Sequence, residues 1–154
     1  MTAPDFSAAM TGDQTFILSD FKGKNLVLYF YPKDNTLGCT TEGLQFRDLF
    51  SEFQLNNTFL FGISRDSIRS HEGFKMKLGM PFDLISDPDE TLCTMFDVMK
   101  SKNMYGKQVR GVDRSTFVID GGGILVKEWR GMKVSGPVAE VLNLQRLLIE
   151  FPYH

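Results

Sequence analysis

Pro32, Thr36 and Cys39 stand four and three residues apart on a short polar loop, and they are the residues whose types and spacing can do chemistry. A cysteine attacks only as its thiolate, and a free thiol with a pKa of about 8.5 is mostly protonated at neutral pH. A helix start favours the anion, because unpaired N–H groups and the positive end of the macrodipole lie there. Cys39 falls where a helical pattern begins, just past the carboxyl end of a buried strand. Open α/β sheets hold their ligands at that edge. Thr36 brings a hydroxyl toward the sulfur, able to donate to the thiolate or to exchange a proton with a bound substrate. Pro32 fixes φ, limits the loop's alternatives and would shield a thiolate from water. Glu42 argues the other way. A carboxylate pointing inward raises a neighbouring thiol's pKa, unless it serves to order another polar group such as an arginine. A cysteine at a helix start reads equally well as a small buried apolar residue; Thr36 and Pro32 at these spacings favour a reactive thiol.

The elements that position these residues follow from the pattern of apolar residues. Residues 26–31 are apolar throughout, as in a strand buried on both faces, and Pro32 ends it. From Cys39 onward Leu44, Phe46, Leu49, Phe50 and Phe53 make a broad apolar helical stripe. Residues 58–64 form a second buried strand, and 67–78 a helix with Ser67 as N-cap and Gly79 as the stop. A short strand at 82–85 precedes a helix start at Asp87, with Pro88 in the first helical position and Glu90 three residues after the cap. That helix is predicted to run to about Lys100, followed by a polar, Gly-containing segment from 102 to 111. Residues 115–120 and 124–129 flank Gly121-Gly122-Gly123 as a hairpin, and Pro137 opens a last amphipathic helix. Strand and helix alternate three times before the hairpin, which predicts one α/β domain spanning residues 1–154, a parallel sheet extended by antiparallel strands.

Composition excludes several classes. The net charge of −2 gives no reason to expect nucleic acid or an anionic membrane as partner. The 14 phenylalanines read as core, since no basic stripe accompanies them to make a base-stacking platform. No run approaches the roughly 18 to 20 apolar residues that span a bilayer. The first residues lack the basic and apolar regions of a signal peptide, so a cytoplasmic protein is the expectation. Two cysteines, Cys39 and Cys93, and two histidines, His71 and His154, sit in no ligand-spaced cluster, so no zinc site is predicted. His71 reads as a solvated helix residue, His154 as a chain end, and Trp129 as hairpin packing.

Pro32-x-x-x-Thr36-x-x-Cys39 resembles the signature of the peroxiredoxins. The longer string from Tyr29 to Gly43 resembles their bacterioferritin comigratory protein (Q-type) branch. The likeness extends over nearly the whole chain, through segments at 3–6, 18–24, 62–64, 86–89, 105–107 and 114–120. It implies a thioredoxin-like fold, a central mixed sheet flanked by helices, with an N-terminal extension. It also implies reduction of hydrogen peroxide and alkyl hydroperoxides at Cys39 as peroxidatic nucleophile, without metal, haem or flavin. Arg114 becomes the active-site arginine, holding the thiolate and polarising the peroxide beside Thr36 and Pro32. A monomer is implied as well.

The chain departs from the family where a second cysteine resolves the oxidised first one. Five residues after Cys39 stands Leu44, and the alternative position in the next helix matches Lys75. Leu37 also replaces a proline frequent in the loop, a change expected to affect stiffness more than chemistry. Cys93 remains, either as a buried helix cysteine or as a resolving thiol, the latter needing Cα atoms within about 7 Å or local unfolding. Otherwise thioredoxin, glutaredoxin or a small thiol regenerates Cys39 directly. Two other classes compete: a thioredoxin-type oxidoreductase, against which the missing Cys-x-x-Cys argues, and a non-catalytic binding protein on the same fold.

Overall fold

The computed structural model describes residues 2–131, 141, 142 and 144. In chain order they form strands β1 (Ser7–Met10), β2 (Gln14–Ile17) and β3 (Asn25–Phe30), then helices α1 (Leu37–Asp48) and α2 (Phe50–Leu55). Strand β4 (Thr58–Ser64), helix α3 (Ile68–Leu78), strand β5 (Leu84–Ser86) and the short helix α4 (Thr91–Met95) follow. Strands β6 (Met99–Met104), β7 (Lys107–Val112), β8 (Ser115–Ile119) and β9 (Leu125–Trp129) complete the set.

The all-apolar runs become interior strands, as a sheet covered on both faces requires. The order across the main sheet is β2-β1-β5-β4-β3-β8-β9. Strand β3 pairs in parallel with β4 and antiparallel with β8, and β4 pairs in parallel with β5. Side chains of β3 alternate between two cores. Leu26, Leu28 and Phe30 join one with Phe61, Ile85, Leu92, Cys93 and Phe117. Val27, Tyr29 and Tyr31 join the other with Cys39, Phe46, Phe53 and Phe74. The two cysteines are therefore in layers on opposite faces of the sheet.

Three expectations are corrected by the structure. The helix from Asp87 does not run to Lys100; it is only Thr91–Met95, and Lys100 lies in β6. The helix's N-cap is Glu90 rather than Asp87, and Pro88 lies in the turn before it, though the Asp87 carboxylate reaches in to accept from the N–H groups of Leu92 at 3.0 Å and Cys93 at 2.8 Å. The chain then turns at Asp97 (φ 53°), and the polar segment after it is a hairpin of β6 and β7. Tyr105 and Gly106, both at positive φ, make its tight turn. A two-stranded ribbon that is polar at most exposed positions carries no apolar alternation to betray it. The helix beginning near Cys39 starts at Leu37 and breaks at Leu49 into α1 and α2. The third correction is His71, which is fully buried. Of the helix predicted from Pro137, Val141, Leu142 and Leu144 are helical, Val141 and Leu142 being buried; its other residues, with His154, lie outside the described residues.

Candidate active site

Tyr31 ends β3 by donating its N–H to the Ile63 carbonyl of β4, and the loop from Pro32 then leads into α1. Thr36 is the N-cap of α1 in extended conformation (φ −79°, ψ 153°), and Cys39 lies in the first turn. The N–H of Thr40 is the first to find a helical partner, the Thr36 carbonyl at 2.9 Å. The N–H groups of Gly38 and Cys39 thus belong to the set for which helical bonding supplies nothing. Cys39 is 2% exposed, so its sulfur sits in a low-dielectric wall at the carboxyl end of β3.

Arg114 reaches this wall from the other side of β3. It immediately precedes β8, whose first residue Ser115 pairs with Phe30. Its Nη2 donates to Cys39 Sγ at 3.2 Å and its Nη1 to Glu42 Oε1 at 2.5 Å. One planar guanidinium therefore bridges the sulfur and a buried carboxylate, a geometry lysine's single point charge does not reproduce. Burial pushes the Glu42 carboxyl up to about 7, although the Arg114 charge and hydrogen bond pull it down. Burial lowers the Arg114 guanidinium, but Glu42 and Cys39 outweigh it and the net direction is upward. Glu42 is thus the inward carboxylate that the sequence left in question, and it is spent on the arginine.

Thr36 differs from expectation in one respect. Its hydroxyl donates to the Lys33 carbonyl at 3.0 Å rather than to the sulfur. With its proton occupied, the oxygen is left as an acceptor. Pro32 is half-buried at the start of the loop. Behind Cys39 the Tyr29 hydroxyl is buried with no hydrogen-bond partner among the described residues. Burial, then Glu42 and Cys39, push that hydroxyl well up, so it stays protonated. Its ring fits because residue 62 is glycine: a Cβ there would stand 2.7 Å from Tyr29 Cζ.

The AhpC/TSA family model matches residues 1–128. This chain belongs to that family, on its peroxiredoxin Q/Bcp branch. Peroxiredoxin Bcp of Xanthomonas campestris is 49% identical over 138 residues, 90% of this chain and 86% of that protein. Peroxiredoxin Bcp of Bacillus subtilis is 48% identical over 141 residues, 92% of this chain and 90% of that one. Among solved structures, Xanthomonas campestris peroxiredoxin Q superposes with a TM-score of 0.89 at 46% identity, covering 94% of this chain and 91% of that chain. The thioredoxin-like architecture expected from the sequence is the one observed, and this peroxiredoxin is a thiol peroxidase.

The fold brings together Cys39 and Arg114, and it sets Thr36 at the mouth of the same helix. It does not bring in Cys93. That thiol is fully buried in the opposite core, where burial and then the Asp87 carboxylate push its pKa strongly up. Leu44 and Lys75, at the usual second-cysteine positions, are committed elsewhere: Leu44 packs on the Cys39 core and Lys75 pairs with Asp83 at 2.6 Å.

The sequence reading missed Asp34 and His71. Asp34 Oδ1 accepts from the Tyr31 hydroxyl at 2.6 Å, while its Oδ2 accepts from Ser70 Oγ at 2.8 Å and lies 2.8 Å from His71 Nδ1. A signal was present. His71, Phe74 and Leu78 are spaced three and four apart and form the buried face of α3.

Proposed function

We propose that this chain reduces hydrogen peroxide and alkyl hydroperoxides at Cys39 and is regenerated by an external thiol. The observation that carries the reading is the Arg114 guanidinium 3.2 Å from a cysteine sulfur in the first turn of a helix. In the oxidative step the thiolate attacks one peroxide oxygen and the O–O bond breaks. Cys39 becomes a sulfenic acid, and the departing oxygen takes a proton and leaves as water or alcohol. Arg114 and the N–H groups of Gly38 and Cys39 suit the charge that spreads over the breaking bond. Thr36, with its donor engaged on Lys33, suits accepting the peroxide's proton. The solved Xanthomonas campestris bacterioferritin comigratory protein is described as having alkyl peroxide reduction activity, which supports the substrate class.

In the reductive step a thiol attacks the sulfenic sulfur, releasing water and leaving a mixed disulfide that a second thiol breaks. Thioredoxin, glutaredoxin or a small thiol would serve as that donor, and none of these steps requires a metal or organic cofactor. Placement of Cys93 across the sheet, protonated and enclosed, favours an outside thiol over an internal disulfide. We further read residues 1–154 as one domain working as a monomer in the cytoplasm. Among the described residues no helix is long and apolar enough to cross a membrane. The test is peroxide consumption by the parent and Cys39→Ser with thioredoxin, glutaredoxin and glutathione supplied in turn. Loss of turnover in Cys39→Ser with every donor is expected, and undiminished turnover would overturn the reading.

A further inference from the structure

His71 faces acceptors on both sides. Nδ1 lies 2.8 Å from Asp34 Oδ2, and Nε2 lies 2.9 Å from the Ile85 carbonyl oxygen. A backbone carbonyl can only accept, so Nε2 carries a proton and donates to Ile85. His71 is fully buried, and a buried polar ring needs a partner at each nitrogen. Asp34 supplies the one at Nδ1. Burial pushes the Asp34 carboxyl up, but the bonds from His71 and Tyr31, the His71 charge and the Ser70 hydroxyl outweigh it, and the net direction is downward.

Other groups crowd the same spot. The Tyr31 hydroxyl, from the end of β3, is 3.4 Å from His71 Nδ1. Asp66, just past β4, is the second carboxylate there, with Asp34, Asp66 and His71 each offering an atom within 4.8 Å of the others. Asp66 Oδ2 accepts from the Asp34 N–H at 2.9 Å and from Ser64 Oγ at 2.5 Å. Such a trio has the composition of a cation site, yet its atoms are already engaged with one another and with Ser64, Ser70, Tyr31 and Ile85. Hydrogen bonding already accounts for the cluster.

The consequence concerns the loop. Of residues 33–37, Lys33, Asn35, Thr36 and Leu37 are exposed and only Asp34 is buried. Asp34 is thus the buried anchor of segment 33–37, the other side-chain tie to α3 being an exposed one from Lys77 Nζ to Asn35 Oδ1 at 3.4 Å. Asp34 is held at its side chain by α3 and at its N–H by Asp66. Five positions later the chain delivers Cys39 to Arg114.

We propose that His71 is a positioning residue for the peroxidase reaction: a buried ring, held by the Ile85 carbonyl, that fixes Asp34 and through it the loop that sets the Cys39 sulfur against Arg114. This rests on Cys39 being the peroxidatic thiol. The test compares His71→Leu and His71→Asn with the parent, at a temperature where all three are folded by circular dichroism. His71→Leu is expected to slow sulfenic acid formation at least tenfold, while reduction of preformed sulfenic acid by dithiothreitol changes less than twofold. His71→Asn, which keeps a donor toward Asp34, is expected to recover part of the oxidation rate. Equal losses in both half-reactions, or a folded His71→Leu oxidising at the parent rate, overturn the positioning role. Cys39→Ser run alongside separates the two readings. If it is inactive while His71→Leu is unimpaired, only the positioning role falls; if it consumes peroxide normally, both fall.

Discussion

Arg114 and Cys39 are 75 residues apart in the chain and meet at 3.2 Å, guanidinium nitrogen to sulfur. The contact exists because β8 runs antiparallel beside β3, so the residue before β8 arrives where the loop after β3 departs. Glu42, one helical turn beyond Cys39, takes the other arm of the fork.

That fork makes the first prediction. Arg114→Ala removes the positive charge nearest the reacting sulfur, and losing one preorganised donor of this kind costs roughly 100- to 1,000-fold in rate. Arg114→Lys keeps the charge but cannot span sulfur and carboxylate together, so it is expected to lie between alanine and the parent. Stopped-flow measurement of kcat/KM for hydrogen peroxide checks both. A lysine variant equal to the parent would show that charge alone matters and the fork does not.

Glu42 makes the second, through pH. Its carboxyl is pushed up from an ordinary 4.5 to about 7 in the folded protein. The folded state therefore holds a proton between those values that the unfolded state has released. Stability is greatest below about 4.5 with respect to this group and falls as pH rises through about 7. For a carboxyl 1% exposed the whole effect is on the order of 3 kcal/mol. Glu42→Gln should lack that decline, and the peroxide reaction's pH–rate profile should lose a step near 7 that the parent shows. Urea unfolding at a series of pH values reads the first, and single-turnover oxidation the second. Identical pH slopes in parent and variant would assign the ionisation to another group.

How much of this was legible in the residues differs by element. Strands β3, β4 and β8 announce themselves because near-complete burial makes their central residues an apolar run, with polar residues confined to the ends. Cys39 and Thr36 are legible because loop and helix start are local. Arg114 was not derivable from position, since its partner is set by sheet pairing across 75 residues, and only the family likeness singled it out. His71 reads as solvated when its polarity is weighed alone, and as buried when its spacing to Phe74 and Leu78 is counted. The β6–β7 hairpin escaped because its register rests on Tyr105-Gly106 and on backbone pairing, with little apolar pattern to mark it.

Cys93 gives the third prediction. It packs with no exposure in the core opposite Cys39, and the proposed cycle makes no use of it. Cys93→Ala should leave peroxide turnover within about twofold of the parent while costing roughly 1–2 kcal/mol of stability for the vacated volume. Activity with excess dithiothreitol and thermal melting measure the two effects. Non-reducing peptide mapping after one equivalent of peroxide is the direct check. A cross-linked peptide pair containing Cys39 and Cys93 would mean that α4 unfolds during the cycle and resolves the sulfenic acid.

Thr36 supplies the last. Its hydroxyl proton is engaged by the Lys33 carbonyl at 3.0 Å, so what it offers an incoming peroxide is an oxygen lone pair. Thr36→Ser keeps that arrangement and loses only a methyl, and kcat/KM should stay within a few-fold of the parent. Thr36→Val keeps the shape and loses the acceptor, and with it the Lys33 bond that orients the loop. A hydrogen bond to a group gaining charge contributes about 1.5–3 kcal/mol, which corresponds to roughly a 10- to 100-fold loss. The loss should appear with hydrogen peroxide and alkyl hydroperoxides alike, because both carry the proton that Thr36 accepts. A valine variant impaired with one peroxide and not the other would instead place Thr36 against the substrate's organic substituent.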